Sequence, residues 1–254
     1  MKKIFLAMVT TVVMMTVNAQ SEKSEVRTEG TITYEEVVKF DIVVDGMSPE
    51  MMAMMPKENR SGTILYFNDK ASRYENLNVV TDGSIEEETG GATVKIMMST
   101  PENIMYRDLK NQKMVHQKEF MTRNFLIESD IQKEEWKLTG NQQVILGYPC
   151  QEALKNDTSG MVKVWFTPAI PVSTGLGEFG GLPGMVLAVD VNDGEQTMTA
   201  KSVDLVKVDP DKLQKPNKGK KVSREKFNSI VEEKNKEMGA EGGEGQTIIM
   251  KISQ

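Results

Sequence analysis

Thr31-Ile32-Thr33-Tyr34-Glu35-Glu36-Val37-Val38-Lys39-Phe40-Asp41-Ile42-Val43-Val44 carries the longest two-residue alternation in the chain. Apolar side chains fall at 32, 34, 38, 40, 42 and 44, and only Glu36 breaks the series. Neighbouring side chains of a strand point to opposite faces, so a period of two over this length predicts a long, half-buried strand. Met185, Leu187, Val189 and Val191 alternate in the same way, and Asn192-Asp193-Gly194 follows them as a hairpin turn.

Working outward, strand-like runs recur at 63–67, 71–78, 92–98, 103–108, 114–120, 125–129, 134–138, 151–156, 161–167 and 196–208, with turn signals at Asn68-Asp69 and Lys110-Asn111. Short strands spaced this closely predict a mainly β protein built on one curved antiparallel sheet, with a short Met-rich helix and a C-terminal helix added to it. The expected divisions are a leader at 1–19, a β domain at 29–208, and a linker, helix and tail at 209–254. Ser223 is placed to cap the C-terminal helix, which carries Phe227, Ile230 and Val231 on one stripe.

Met1-Lys2-Lys3 is a positive start, Ile4–Val17 is an uncharged apolar run, and Val17-Asn18-Ala19 ends on a small residue. That order predicts a signal peptide cleaved after Ala19. The run is shorter than the roughly 20 residues a spanning helix needs, and no later segment is apolar enough to cross a bilayer. The expected location is periplasmic or secreted, with docking on the outer membrane as a variant. The formal net charge of −6 disfavours nucleic acid, whose affinity comes from cations meeting phosphates.

Catalytic constellations are sparse. The chain has one His, His116, and one Cys, Cys150, in the apolar setting Val144-Ile145-Leu146-Gly147-Tyr148-Pro149. They form a nucleophile–base pair only if the fold joins them, and neither a disulfide nor a zinc site of three or four ligands can be assembled from such a set. No catalytic residue and no cofactor is expected. Met47, Met51, Met52, Met54 and Met55 crowd one short segment, with Ser48 and Pro49 able to start a helix and Pro56 to end it. On that helix Met51, Met54 and Met55 share a face, which leaves three readings: packing against a sheet, contact with an apolar ligand, or soft-metal binding of Cu(I) by thioethers. Gly181, Leu182, Pro183 and Gly184 suit a tight turn delivering the chain into the strand at Met185, or a loop that touches a ligand or partner.

Gly180–Val186 resembles the motif that names the GLPGLI family of exported Bacteroidetes proteins. Trp136-Lys137-Leu138, Gly147–Ala153 and Val164–Val172 resemble that family's other segments in order. The resemblance implies an envelope protein without assigned catalytic residues, with a half-barrel sheet similar to lipoprotein-carrier proteins. On this reading the chain is a non-catalytic binding or accessory protein that holds an apolar ligand or an outer-membrane partner. The alternatives are a copper binder through Met51, Met54 and Met55, and a cysteine hydrolase.

Overall fold

A computed structural model describes residues 28–39, 57–77, 85–89, 92–96, 101–157 and 160–241. The leader expected at 1–19 and the Met-rich segment with Met51, Met54 and Met55 lie outside the described residues.

Fourteen strands are defined among the described residues: β1 (Gly30–Lys39), β2 (Glu58–Phe67), β3 (Ala71–Asn76), β4 (Ile85–Thr89), β5 (Ala92–Ile96), β6 (Asn103–Asp108), β7 (Lys113–Phe120), β8 (Arg123–Asp130), β9 (Lys137–Ile145), β10 (Tyr148–Asp157), β11 (Gly160–Thr167), β12 (Met185–Val191), β13 (Gln196–Asp204) and β14 (Lys220–Val222). One helix, α1 (Arg224–Glu241), follows them. β4 and β5 form a separate hairpin. The other twelve strands make a single open sheet in the order β14-β8-β7-β6-β3-β2-β1-β13-β12-β11-β10-β9. Its pairs are antiparallel except β14 with β8. The mainly β expectation therefore holds, with one parallel pair at an edge.

Turn chemistry builds the antiparallel run. Asn68 Oδ1 accepts from the backbone N–H groups of Lys70 and Ala71 and closes the β2–β3 turn. Asp108 accepts from Asn111 N and closes the β6–β7 turn. Alternation along each strand then puts Ile32, Tyr34, Leu65, Phe67, Val164, Phe166, Met185 and Leu187 in one fully buried core. Each of these side chains contributes roughly 1.5–3 kcal/mol through burial.

The sheet is curved, and Thr174 shows how tightly. Its carbonyl accepts from Val186 N on β12 at 3.2 Å, while its hydroxyl lies 2.7 Å from Ser72 Oγ on β3. β3 and β12 are four ladder steps apart, or ~19 Å in a flat sheet at ~4.8 Å per step. One residue bridges them because the sheet bends around the irregular segment 168–184, which crosses its inner face.

The segment expected as a linker is fastened to the outer face. Asp209 caps a 3-10 turn at Pro210–Leu213, Lys212 lies over the Tyr66 ring, Arg73 donates to the Gln214 carbonyl, and Lys218 N donates to Gln117 Oε1. β14 then pairs with β8, and the chain turns over that edge into α1. Phe227 of α1 meets Phe125 and Phe120 edge-on, with ring centroids 5.3 and 6.1 Å apart. Ser223 Oγ accepts from Lys226 N, as a helix cap should.

Candidate functional site

The strand register fixes which side chains face inward at this end of the sheet. Arg107 pairs with Met114 and Met114 with Ser129, so all three share the face crossed by 168–184. Between that crossing segment, the end of β8 and the first turn of α1 lies a cleft of about 990 Å³. Arg107, Met114, Ser129, Glu134, Val172, Ser173, Glu178, Gly180, Gly181 and Arg224 are among the residues that line it.

Arg107 is the central cation. It is buried, and its Nη1 and Nη2 donate to the carbonyl oxygens of Gly175 and Gly177. Burial lowers its pKa to about 10, against the opposing pull of Glu178 and Glu134, so it stays charged at neutral pH. Arg224 at the start of α1 donates to Glu178 at 2.6 Å. Burial alone would raise the Glu178 carboxyl, but Arg224, His116 and Arg107 hold it below the usual carboxylate range. Two further lining carboxylates are also ion-paired, Asp130 with Lys113 and Glu134 with Lys155, and Asp69 and Glu225 complete the acidic lining. Ser129 Oγ is buried and has no hydrogen-bond partner.

Two glycines shape the crossing segment. Gly184 takes φ +156°, and a Cβ there would lie 2.2 Å from the Thr167 carbonyl oxygen. Gly181 takes φ +79° with open space around it. Of the turn residues singled out from sequence, Gly181 lines the cleft, Leu182 is core, Pro183 is exposed, and Gly184 is pressed against β11. Trp136 braces the turn by donating from Nε1 to the Gly180 carbonyl at 2.9 Å.

His116 and Cys150 are not brought into partnership. His116 Nε2 pairs with Asn103 Oδ1 at 2.6 Å, and burial lowers the imidazole pKa to about 4, so it is neutral at pH 7. The Cys150 thiol donates to the Tyr148 carbonyl, and burial raises its pKa. Eight ladder steps separate their strands, β7 and β10, in the sheet order. The described residues hold no group of three or more His, Cys, Asp or Glu able to bind a metal, and no helix among them is long and apolar enough to cross a membrane.

The fold and the cleft define a mainly β domain whose open, bent sheet holds a cleft of mixed polar and apolar lining on its inner face. The family described as N-glycanase peptide, N-terminal domain, matches residues 66–227, and the chain belongs to that family. Two solved structures of PNGF-II, in space groups C2 and P21, share the fold at TM-scores of 0.54 and 0.53, each with 18% identity and each covering 80% of this chain. The chain spans only 32% and 33% of those two structures. No curated protein matches it.

This membership corrects the sequence-based assignment. The segments that resemble the GLPGLI family, 136–186, lie inside the matched region and belong to the N-glycanase N-terminal domain family instead. The physical reason is local: the Gly-Leu-Pro-Gly run meets the steric demands of one turn, at Gly181 and Gly184, and such demands specify backbone geometry rather than ancestry. The same finding overturns the functional expectation: the GLPGLI-type envelope protein with an apolar ligand read from that resemblance, and its alternatives, the copper binder read from the Met cluster and the cysteine hydrolase read from Cys150 and His116. The cleft has a mixed lining, in which Arg107, Glu134, Glu178 and Arg224 stand beside Leu109, Met114, Ile131 and Val172. Sequence reasoning did not single out Arg107, Ser129 or Arg224. The available signal was Arg107 itself, an arginine in phase with Met105 on the inward face of β6.

Proposed function

We propose that this chain is a non-catalytic domain that holds glycopeptide substrate in its inner-face cleft and works beside N-glycanase chemistry. The observation that carries the reading is the cleft of a chain in an N-glycanase N-terminal domain family, with Asp130, Glu134 and Glu178 all tied to cations. General acid–base hydrolysis needs a carboxyl or imidazole poised to exchange a proton with substrate. Of the lining carboxylates, Asp130, Glu134 and Glu178 are engaged in ion pairs, and His116 is held neutral by burial and paired with Asn103. Mixed charge and open main chain suit a polar ligand that carries both amides and hydroxyls.

Export through Met1–Ala19 to the periplasm belongs to the same proposal, supported by the charged start, apolar run and small residue at 19. N-terminal sequencing of protein recovered from the periplasm should begin at Gln20.

The test is calorimetric titration of the full chain with an N-glycopeptide carrying chitobiose on its Asn, followed by mass spectrometry of the ligand. Saturable binding with the glycopeptide recovered intact is expected. Absence of binding would overturn the proposal, and release of the glycan would overturn its non-catalytic part.

A further inference from the structure

The crossing segment has an unusual hydrogen-bond pattern where it walls the cleft. Val172 N donates to the Ile170 carbonyl, Thr174 N to the Val172 carbonyl, and Gly184 N to the Leu182 carbonyl. Each bond spans two residues, the inverse γ-turn spacing. The residues that make these bonds are buried, and those between them, Pro171, Ser173 and Pro183, are exposed, as is Gly181. The N–H groups of Val172 and Thr174 are thus used inward. Ser173 and Gly181 take no part in the backbone bonds that hold this segment, and both line the cleft.

The two residues are neighbours in space. A Cβ at Gly180 would lie 3.8 Å from Thr174 Cα, so 173–175 and 179–181 run side by side as two arms of one loop. The Gly175–Phe179 bend between the arms is closed by Phe179 N donating to the Leu176 carbonyl. Arg107 clamps this bend from beneath through Gly175 and Gly177, and Trp136 holds the Gly180 carbonyl. The loop is therefore fixed before any ligand arrives, which lowers the ordering cost of binding. Ser129 of β8 lines the same cleft, its Oγ buried and without a hydrogen-bond partner.

We infer that this cleft grips the main chain of an extended peptide through Ser173 and Gly181, so that the peptide arm of a glycopeptide, and not its sugar, occupies the site. This rests on the substrate-holding reading above and names the part of the ligand that is held. A rigid wall offering both N–H and C=O groups is the chemistry by which a sheet edge recruits a strand. The complementary ligand has a donor and an acceptor on every residue, which is a peptide backbone. A sugar ring offers apolar C–H faces that stack on aromatic side chains, and among the described residues the lining contains no Phe, Tyr or Trp. The apolar groups it does contain, Leu109, Met114, Ile131 and Val172, suit alternate side chains of an extended peptide.

The experiment is amide NMR titration of the full chain with three probes. These are an unglycosylated uncharged pentapeptide, the same peptide N-methylated at its central amides, and free chitobiose. Saturating shifts at the Ser173 and Gly181 amides with the plain peptide, weakened at least tenfold by N-methylation, support the inference. Equal binding of the N-methylated peptide overturns it, because main-chain donors would then be irrelevant. Response to chitobiose but not to the peptide also overturns it while leaving the substrate-holding function standing. If none of the three probes nor the glycopeptide binds, both readings fall together.

Discussion

Arg107 Nη2 donates to the carbonyl oxygen of Gly177 at 2.5 Å, across 70 residues of chain. With the second bond to Gly175, one strand residue holds the loop that walls the cleft. Arg107→Met should cost about 2–4 kcal/mol, because two carbonyls lose a charged donor in a buried setting. Arg107→Lys should recover only part of that, since a single ammonium does not reproduce the fork. Urea denaturation of the three proteins measures it, and a loss below about 0.5 kcal/mol for the Met variant would contradict the clamp.

His116 makes stability depend on pH in a defined direction. Its folded-state pKa of about 4 lies below the 6.5 of an unfolded chain, so between those values the unfolded state binds more protons. Stability from this site is complete above pH 6.5 and is lost as pH falls toward 4, by about 3 kcal/mol at most. Glu36 works the other way: burial chiefly raises its carboxyl, so above its unfolded value a rise in pH disfavours the folded state. The informative quantity is therefore the wild-type stability minus that of His116→Gln. It should shrink steadily from pH 6.5 to 4, and parallel curves would refute the assignment.

Trp136→Phe keeps most of the ring packing and deletes the bond to Gly180. It should cost about 1–2 kcal/mol, the price of an unmade bond to a buried carbonyl. Hydrogen exchange at Gly184, whose N–H is bonded to the Leu182 carbonyl within the turn, should accelerate while exchange in β11 and β12 stays unchanged. Uniform acceleration across the sheet would show that Trp136 supports the core as a whole rather than the turn.

Gly181→Ala and Gly184→Ala should separate backbone strain from collision. At Gly181 the added methyl meets open space, so only the positive φ matters and the loss should be about 1 kcal/mol. At Gly184 the methyl meets the Thr167 carbonyl, and the loss should exceed about 2 kcal/mol. Thermal melts of the two variants decide between this order and its reverse.

Phe227 is the buried anchor of α1; Ile230 and Val231 are only partly covered. Phe227→Ala should cost roughly 3 kcal/mol and free the helix while the sheet persists. Limited proteolysis should then cut within 224–241 first. A cut in β7 or β8 at the same rate would mean that the helix and the sheet unfold as one unit.

Much of the sheet was legible because alternation is a local signal: 103–108 and 185–191 match β6 and β12 residue for residue. β9 was misplaced toward 134–138 because Thr139-Gly140-Asn141-Gln142-Gln143 is polar and exposed, and its strand character comes from its ladder with β10. The expectation of a linker after 209 missed anchors such as Lys218 N to the Gln117 side chain, 101 residues apart. The cleft was illegible for the same reason. Arg107, Thr174 and Gly180 are joined only after the sheet bends, and no local pattern encodes a bend of that range.

The open edge of the sheet carries its own safeguard. Around Gly140, which takes φ +86°, β9 departs from regular pairing, and Thr139 and Asn141 fold their side chains onto the Glu152 carboxylate. A straight foreign strand cannot zip along a border kinked in its middle. Copies of this chain at high concentration are therefore hindered from templating fibrils along this border, although the sheet of the described residues is not closed into a ring.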